Sequence, residues 1–385
     1  LIDTQVHFRE PGLTHKETIG TGSAAAVAGG VTTYFEMPNT VPNTTDAERL
    51  AEKLRIAAAT SHADYAFFVG AARENLDRLA ELEALPGCAG IKIFLGSSTG
   101  SLLLDDHDDL VVALRNGSRR VAAHCEDEAM NRAKREAYEG RIRGVEDHPS
   151  VRDSESALVA TERFIAAGRA TGRPIHILHV STADELSPIR RAKEDGVDVT
   201  CEITPQHLWF CADDYARLGT RIQQNPPIRS RMDRFALRAA LQHGFFDVFG
   251  SDHAPHTLEE KSKPYPTSSS GMPGVQTSLR VLLALGASPE MIARMFSQKP
   301  ALIFGIENKG WLREGFDADL ILVEPEIRET VKSSELLSKC AWSPFEGENL
   351  PLGATHTIVG GRIAYADGAL MGEPSGRVVR FGAPA

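Results

Sequence analysis

Val6-His7-Phe8, an Ala-rich run over 23–29 ending in Gly29-Gly30, Val31-Thr32-Thr33-Tyr34-Phe35, a segment over 48–60 with apolar residues at i, i+3 and i+4, and Tyr65-Ala66-Phe67-Phe68-Val69 follow one another. Short apolar or β-branched runs read as strands and the 3.6-period segments as helices. Strand, helix, strand, helix, strand implies parallel neighbours joined by helical crossovers. The alternation continues through Gly90-Ile91-Lys92-Ile93-Phe94-Leu95, Val121-Ala122-Ala123-His124, Ile175-His176-Ile177-Leu178-His179-Val180, residues 197–203 and Val248-Phe249-Gly250-Ser251. Eight such units in about 250–300 residues predict an α/β fold, a TIM (β/α)8 barrel. After residue 305 the pattern changes to Gly-punctuated β runs, 319–323 and 355–366 around Gly360-Gly361. The predicted division is a barrel over 1–305 and a small β-rich domain over 306–385. The chain opens on Leu1 with a strand at once, so the natural protein is expected to start further upstream, carrying an N-terminal part of the small domain absent from this chain.

With 385 residues, 42% hydrophobic and 24% charged, the composition is that of a globular protein and excludes disorder, collagen-like repeats and coiled coil. The net charge of −10, with no stretch that concentrates basic residues among aromatics, argues against nucleic-acid binding. Five scattered cysteines, never in a CxxC pair, argue against a disulfide framework or a thiolate zinc site and suit a reducing, cytoplasmic setting. No apolar run of about 18 residues exists, so no membrane span is expected.

Ionisable residues fall at the strand ends, which converge on one mouth in a TIM barrel. His7 follows the first run, Asn39 the second, Lys92 lies in the fourth, His124 ends the fifth, His179 the sixth, Glu202 the seventh, and Asp252, His253 and His256 follow the eighth. Three imidazoles (His7, His124, His179), Asp252 and Lys92 offer nitrogen and oxygen ligands suited to zinc and to hydrolysis. A lone histidine in such a place is more often an interior residue, which is the reading for His176; His15, His62, His107 and His243 read as surface. Lys92, set among Ile91, Ile93 and Phe94, is costly as an ammonium ion. Its neutral amine can add CO2 to give a carbamate whose oxygens bridge metals; the alternative is a lysine paired with a barrel carboxylate.

Thr4-Gln5-Val6-His7-Phe8-Arg9-Glu10-Pro11-Gly12, Met37-Pro38-Asn39-Thr40, Gly90-Ile91-Lys92, His176-Ile177-Leu178-His179-Val180-Ser181, Asn225-Pro226-Pro227 and Ser251-Asp252-His253-Ala254-Pro255-His256 together resemble the signature set of dihydroorotases, in the cyclic-amide branch of the amidohydrolase superfamily, and the resemblance covers nearly the whole chain, including Trp342-Ser343-Pro344-Phe345-Glu346-Gly347. The resemblance implies one or two Zn2+ per chain. His7 and Asp252 would hold the first, His124 and His179 the second, and a CO2-derived carbamate on Lys92 would bridge. It implies hydrolysis by a metal-activated water, with Asp252 as proton shuttle between that water and the leaving nitrogen. The implied reaction interconverts N-carbamoyl-L-aspartate and L-dihydroorotate in de novo pyrimidine synthesis. Arg9 would clamp the substrate carboxylate together with Asn39, while Asn225, His256 and the backbone near Gly271 hold the ring. The implied assembly is a homodimer, with a transcarbamoylase as candidate partner.

The sequence departs from the family pattern at Gln5, where the first motif normally reads His-x-His. An amide is a poorer zinc ligand than imidazole. Gln5 therefore motivates a rival reading, a catalytically silent dihydroorotase-like subunit that scaffolds a transcarbamoylase. A hydantoinase- or allantoinase-type cyclic amidase is the rival of the same class, disfavoured by Arg9. Gln206 also stands where a histidine is common, at a position that is not a ligand. Ser98 or Thr99, in the Gly/Ser/Thr-rich loop 96–101, is expected to offer substrate a hydroxyl.

Overall fold

The computed structural model describes residues 1–96 and 102–382. Eight strands pair in chain order, every neighbour parallel: β1 (Ile2–Val6), β2 (Thr33–Glu36), β3 (Asp64–Gly70), β4 (Cys88–Phe94), β5 (Val121–His124), β6 (Ile175–Ile177), β7 (Val199–Ile203) and β8 (Val248–Phe249). A parallel bridge between Val6 and His253, with His7 N–H donating to the His253 carbonyl at 2.7 Å, joins the last strand's continuation to the first. The barrel is thereby closed. β1 lies earlier than the predicted 6–8 run, because the barrel buries Asp3 and Thr4, whose polarity made residues 2–5 a poor strand by pattern.

Successive strand residues face opposite sides. Phe67, Val69, Ile91, Ile93, Val121, Ala123, Ile175 and Ile177 pack with helix residues such as Leu50, Leu110, Phe164 and Ile189 in the main core. Their alternates Phe35, Phe68, Ala122 and Leu178 form a second cluster with Phe304 and Ile306. The helices are started by local chemistry: Asp46 caps Ala47–Thr60, Asp153 caps Ser154–Thr171, and Ser230 with Asp233 forms a capping box on Arg231–Gln242.

Beyond the barrel, β9 (Leu320–Thr330), β10 (Asn349–Val359), β11 (Arg362–Ala366) and β12 (Ala369–Leu370) form an antiparallel sheet in the order β12-β11-β10-β9. Gly360 and Gly361, both at positive φ, make the tight β10–β11 turn. The sheet lies on the barrel's helices: Thr357 Oγ1 donates to the Val27 carbonyl, and Val359 and Ala364 join the main core. The segment between β9 and β10 returns to the mouth, where Trp342 Nε1 donates to the His256 carbonyl at 2.7 Å.

Candidate active site

Lys92 alternates with Ile91 and Ile93, which face the helices, so β4 turns its side chain inward. It is 1% exposed and its ammonium lies 4.5 Å over the Phe94 ring. Burial lowers its pKa to about 7 against the opposing pull of Asp252. Among the described residues no carboxylate stands within ion-pair distance of it, so the pairing with a barrel carboxylate is not what the fold builds.

His124 ends β5, and His179 lies two residues past β6 in a left-handed conformation, φ 35°. Their rings meet edge to face, and His124 Nδ1 is 3.1 Å from His179 Nε2. On its other side His124 Nε2 lies 2.9 Å from Glu126 Oε2. Arg152 grips that buried carboxylate twice, Nη2 at 2.6 Å and Nε at 3.2 Å, and Arg229 Nη2 stands 3.7 Å away. Burial alone would raise the Glu126 carboxyl, but Arg152 and His124 outweigh it and hold it well below the usual range. The contact is electrostatic rather than an aligned hydrogen bond, since His124 Nε2 has no hydrogen-bond partner among the described residues. An ionised carboxylate beside Nε2 nevertheless favours the proton there, with the Nδ1 lone pair toward His179. Glu202 on β7 anchors His179 by accepting its backbone N–H at 3.2 Å.

His7 follows β1 directly. Its Nδ1 lies 2.7 Å from Asn39 Oδ1, which places the proton there and leaves Nε2 facing Asp252 Oδ1 at 3.3 Å. Gln5 Nε2 donates to the same oxygen at 3.1 Å, while Gln5 Oε1 is buried without a partner. Two ligands at 2.0–2.1 Å on a tetrahedral zinc stand roughly 3.3 Å apart. Both pairs, His124–His179 and His7–Asp252, have that spacing. Burial lowers the pKa of all three imidazoles and keeps them in the neutral, ligating form. The donors therefore fit a cation at His124–His179. At His7–Asp252 the further place is taken by Gln5, whose amide hydrogens, not its oxygen, meet Asp252. Among the described residues no three His, Cys, Asp or Glu side chains converge on one point. Lys92, whose charge is felt by His7, His124 and His179, is the remaining group of the set.

Arg9 is brought to the mouth by a left-handed backbone step, φ 65°, after β1 has ended. Its Nε donates to the Pro255 carbonyl at 3.1 Å and its Nη2 lies 3.2 Å from His256 Nε2. Asn39 is turned to His7, and Asn225 Oδ1 is 3.1 Å from His148 Nε2. Gly271 donates its N–H to the Gln223 carbonyl and accepts Lys261 Nζ on its own carbonyl, both at 2.9 Å, so both backbone groups are engaged within the protein. A Cβ there, at φ 135°, would stand 2.5 Å from the Ala254 oxygen. Ser98 and Thr99 lie outside the described residues. His176 is held below the mouth by Thr200 Oγ1 at 2.8 Å and by Phe304.

Sequence reading passed over Glu126, Arg152, Lys16 and Glu260. The available signal was an acidic residue two places after a candidate ligand, and a lysine four residues beyond the motif that carries Arg9.

A closed parallel barrel that gathers histidines, a buried lysine and an aspartate at its strand ends defines a metal-dependent hydrolase. The chain belongs to the amidohydrolase family, whose model matches residues 1–364. It is 37% identical to a dihydroorotase of Halobacterium salinarum over 99% of this chain and 88% of that one. It is 36% identical to an allantoinase of Bacillus velezensis over 95% and 83%. Its fold superposes on L-hydantoinase from Arthrobacter aurescens with a TM-score of 0.93 at 27% identity, covering 97% of this chain and 86% of the other. It is a cyclic amide hydrolase. Among the described residues no helix is long and apolar enough to cross a membrane.

Proposed function

We propose that the protein is a zinc-dependent dihydroorotase that interconverts N-carbamoyl-L-aspartate and L-dihydroorotate in pyrimidine synthesis. One observation carries the choice of substrate. Arg9 is 7% exposed, and among the described residues no carboxylate pairs with it. A buried guanidinium with no carboxylate in ion-pair contact, only the more distant charges of Asp252, Glu36, Glu260 and Glu17, has room for an anion. The dihydroorotate ring bears a carboxylate, whereas allantoin and simple hydantoins do not. Curated dihydroorotase relatives support the reading.

His124, His179 and the Lys92 carbamate would hold the second zinc, with His7 and Asp252 the weaker first place. Such an ion supplies Lewis acidity at the ring carbonyl and makes a water more acidic. Asp252 takes the proton of the attacking water as the new C–O bond forms, and passes it to the ring nitrogen as the C–N bond breaks. Gln5 Nε2, donating to Asp252 Oδ1, holds that carboxylate in place for the transfer. Arg9 binds the carboxylate and so sets which carbonyl meets the water. The five described cysteines are all free and buried, which supports a reducing, cytoplasmic setting.

The test is Arg9→Met with L-dihydroorotate as substrate. Loss of a bidentate ion pair is expected to lower kcat/KM by about 2–3 kcal/mol, mainly through KM, with metal content unchanged. Kinetics equal to wild type would refute the substrate. Gln5 favours the second reading, a silent subunit scaffolding a transcarbamoylase; the retained Lys92, His124, His179 and Asp252 weigh against it, since a scaffold needs no ligand set.

A further inference from the structure

His256 has two ring nitrogens and four neighbours that compete for them. Nε2 is 3.0 Å from the Ser270 carbonyl oxygen and 3.2 Å from Arg9 Nη2. Nδ1 is 3.2 Å from Lys16 Nζ and 3.3 Å from Glu260 Oε2. Burial, reinforced by the charge of Arg9, lowers the ring's pKa to about 3, so near neutral pH it has one N–H and one lone pair. Arg9 and Lys16 can only donate; Ser270 O and ionised Glu260 can only accept.

Two arrangements follow. With the proton on Nε2, the ring donates to Ser270 and accepts from Lys16, and Arg9 faces an N–H that offers it nothing. With the proton on Nδ1, the ring donates to Glu260 and accepts from Arg9, while Lys16 faces an N–H and Ser270 loses its donor. The first is favoured. Its ring–acceptor contact is shorter, and Glu260 needs no proton from the ring, since it holds Lys16 at 3.0 Å and the Thr257 N–H at 3.1 Å. His15, 3.5 Å away, adds a further contact to Glu260. Remove the Lys16 ammonium and the balance reverses: Glu260 is left without its main counter-charge and takes the ring proton on Nδ1, and the freed Nε2 lone pair draws in the Arg9 guanidinium.

We infer that Lys16 is a positioning residue for substrate selection: by donating to Nδ1 of His256 it denies Arg9 an acceptor on the ring and keeps the guanidinium available for a substrate carboxylate. The inference rests on the proposed role of Arg9. It adds a device that favours carboxylate-bearing rings over the same rings without a carboxylate, built from a residue that touches neither the ring nor the reacting atoms.

The experiment compares wild type, Lys16→Met and Lys16→Arg. The first reading is the His256 tautomer without substrate, from long-range 1H–15N spectra of protein labelled at its 13 histidines, with His256 assigned by its loss in His256→Gln. The second is KM and kcat for L-dihydroorotate beside the inhibition constant of dihydrouracil, the same ring without the carboxylate. Wild type is expected to show the Nε2–H form and Lys16→Met the Nδ1–H form. Lys16→Met should raise KM about tenfold, the worth of one competed charge-assisted hydrogen bond, with kcat and the dihydrouracil constant held within about twofold. Lys16→Arg, still a pure donor, should restore both readings. An unchanged tautomer in Lys16→Met overturns the inference, and so does a KM that rises in step with the dihydrouracil constant. If wild type fails to turn over L-dihydroorotate, the proposed function falls, while the substrate-free tautomer comparison still decides whether Lys16 sets the ring.

Discussion

Glu126→Gln tests the orientation of His124 at almost constant shape. The carboxylate is fully buried, takes two hydrogen bonds from Arg152 and lies 2.9 Å from His124 Nε2. An amide cannot neutralise Arg152 or the nearby Arg229, and breaking a buried pair from one side costs about 3–5 kcal/mol. Taking roughly 2.1 cal/mol/K of unfolding entropy per residue over 385 residues, that is a fall in Tm of about 4–6 °C. The second effect is on the ligand. Gln still offers an oxygen to Nε2–H, but a neutral one, so the Nδ1 lone pair is less basic and less well aimed; such partners are worth about 10–100-fold in metal affinity. Thermal unfolding of the metal-free protein reads the first effect, and zinc competition against a chromophoric chelator reads the second. Arg152→Met should lower Tm in the same direction and spare most of the metal affinity, because it leaves the carboxylate in place. A Glu126→Gln protein with wild-type Tm and wild-type zinc affinity would show that the Glu126–His124 contact carries neither role.

Lys92 should carry one CO2 unit in the metal-loaded protein, seen by native mass spectrometry or by 13C-bicarbonate labelling, and Lys92→Ala should lose metal and activity together; an unmodified Lys92 beside a full site refutes the carbamate. Wild type is expected to be active with its first metal lost to mild chelation, and Gln5→His to raise metal content toward two per chain without being required for turnover; a fully metallated wild type that is inert until Gln5→His is made would favour the scaffold reading. His148, buried between the Gln224 carbonyl and Tyr265, has its pKa lowered to about 3, chiefly by burial and then by Arg152. Below its unfolded value near 6.5 the unfolded chain binds the proton and the folded one does not, so stability present above pH 6.5 is lost as pH falls, by about 2 kcal/mol at pH 5 from this group alone. Urea midpoints measured from pH 7 to 5 should fall, and less steeply in His148→Gln.

All eight barrel strands were legible because each is a short run buried on both faces, so hydrophobicity alone marks it. The exception in detail is β1, where Asp3 and Thr4 are buried by partners far along the chain: Asp3 Oδ1 takes the Ser251 N–H, and Thr4 Oγ1 reaches Glu202. Local pattern carries no trace of such partners. The same holds for the mouth. His124, His179, Lys92 and Asp252 could be picked out because they are polar residues at or in strand runs. The Glu126–Arg152 grip, 26 residues apart in sequence, and the four-way competition around His256 depend on which segments the barrel brings together, and charge pairs of that kind have no period to detect. Arg9 lies beyond the end of β1 and turns by a left-handed step, which is invisible in sequence where the residue is not glycine.

Three of the residues that line the mouth, Arg9, His179 and Asp252, sit at φ 65°, 35° and 44°, where glycine would be at ease and a side chain costs about 1–3 kcal/mol. Replacing Arg9, His179 or Asp252 with glycine should therefore relieve the backbone while emptying the site. Drift toward stability alone would erase this enzyme's function before it harmed its fold, and a thermostability screen that ignores turnover would be drawn to these same positions.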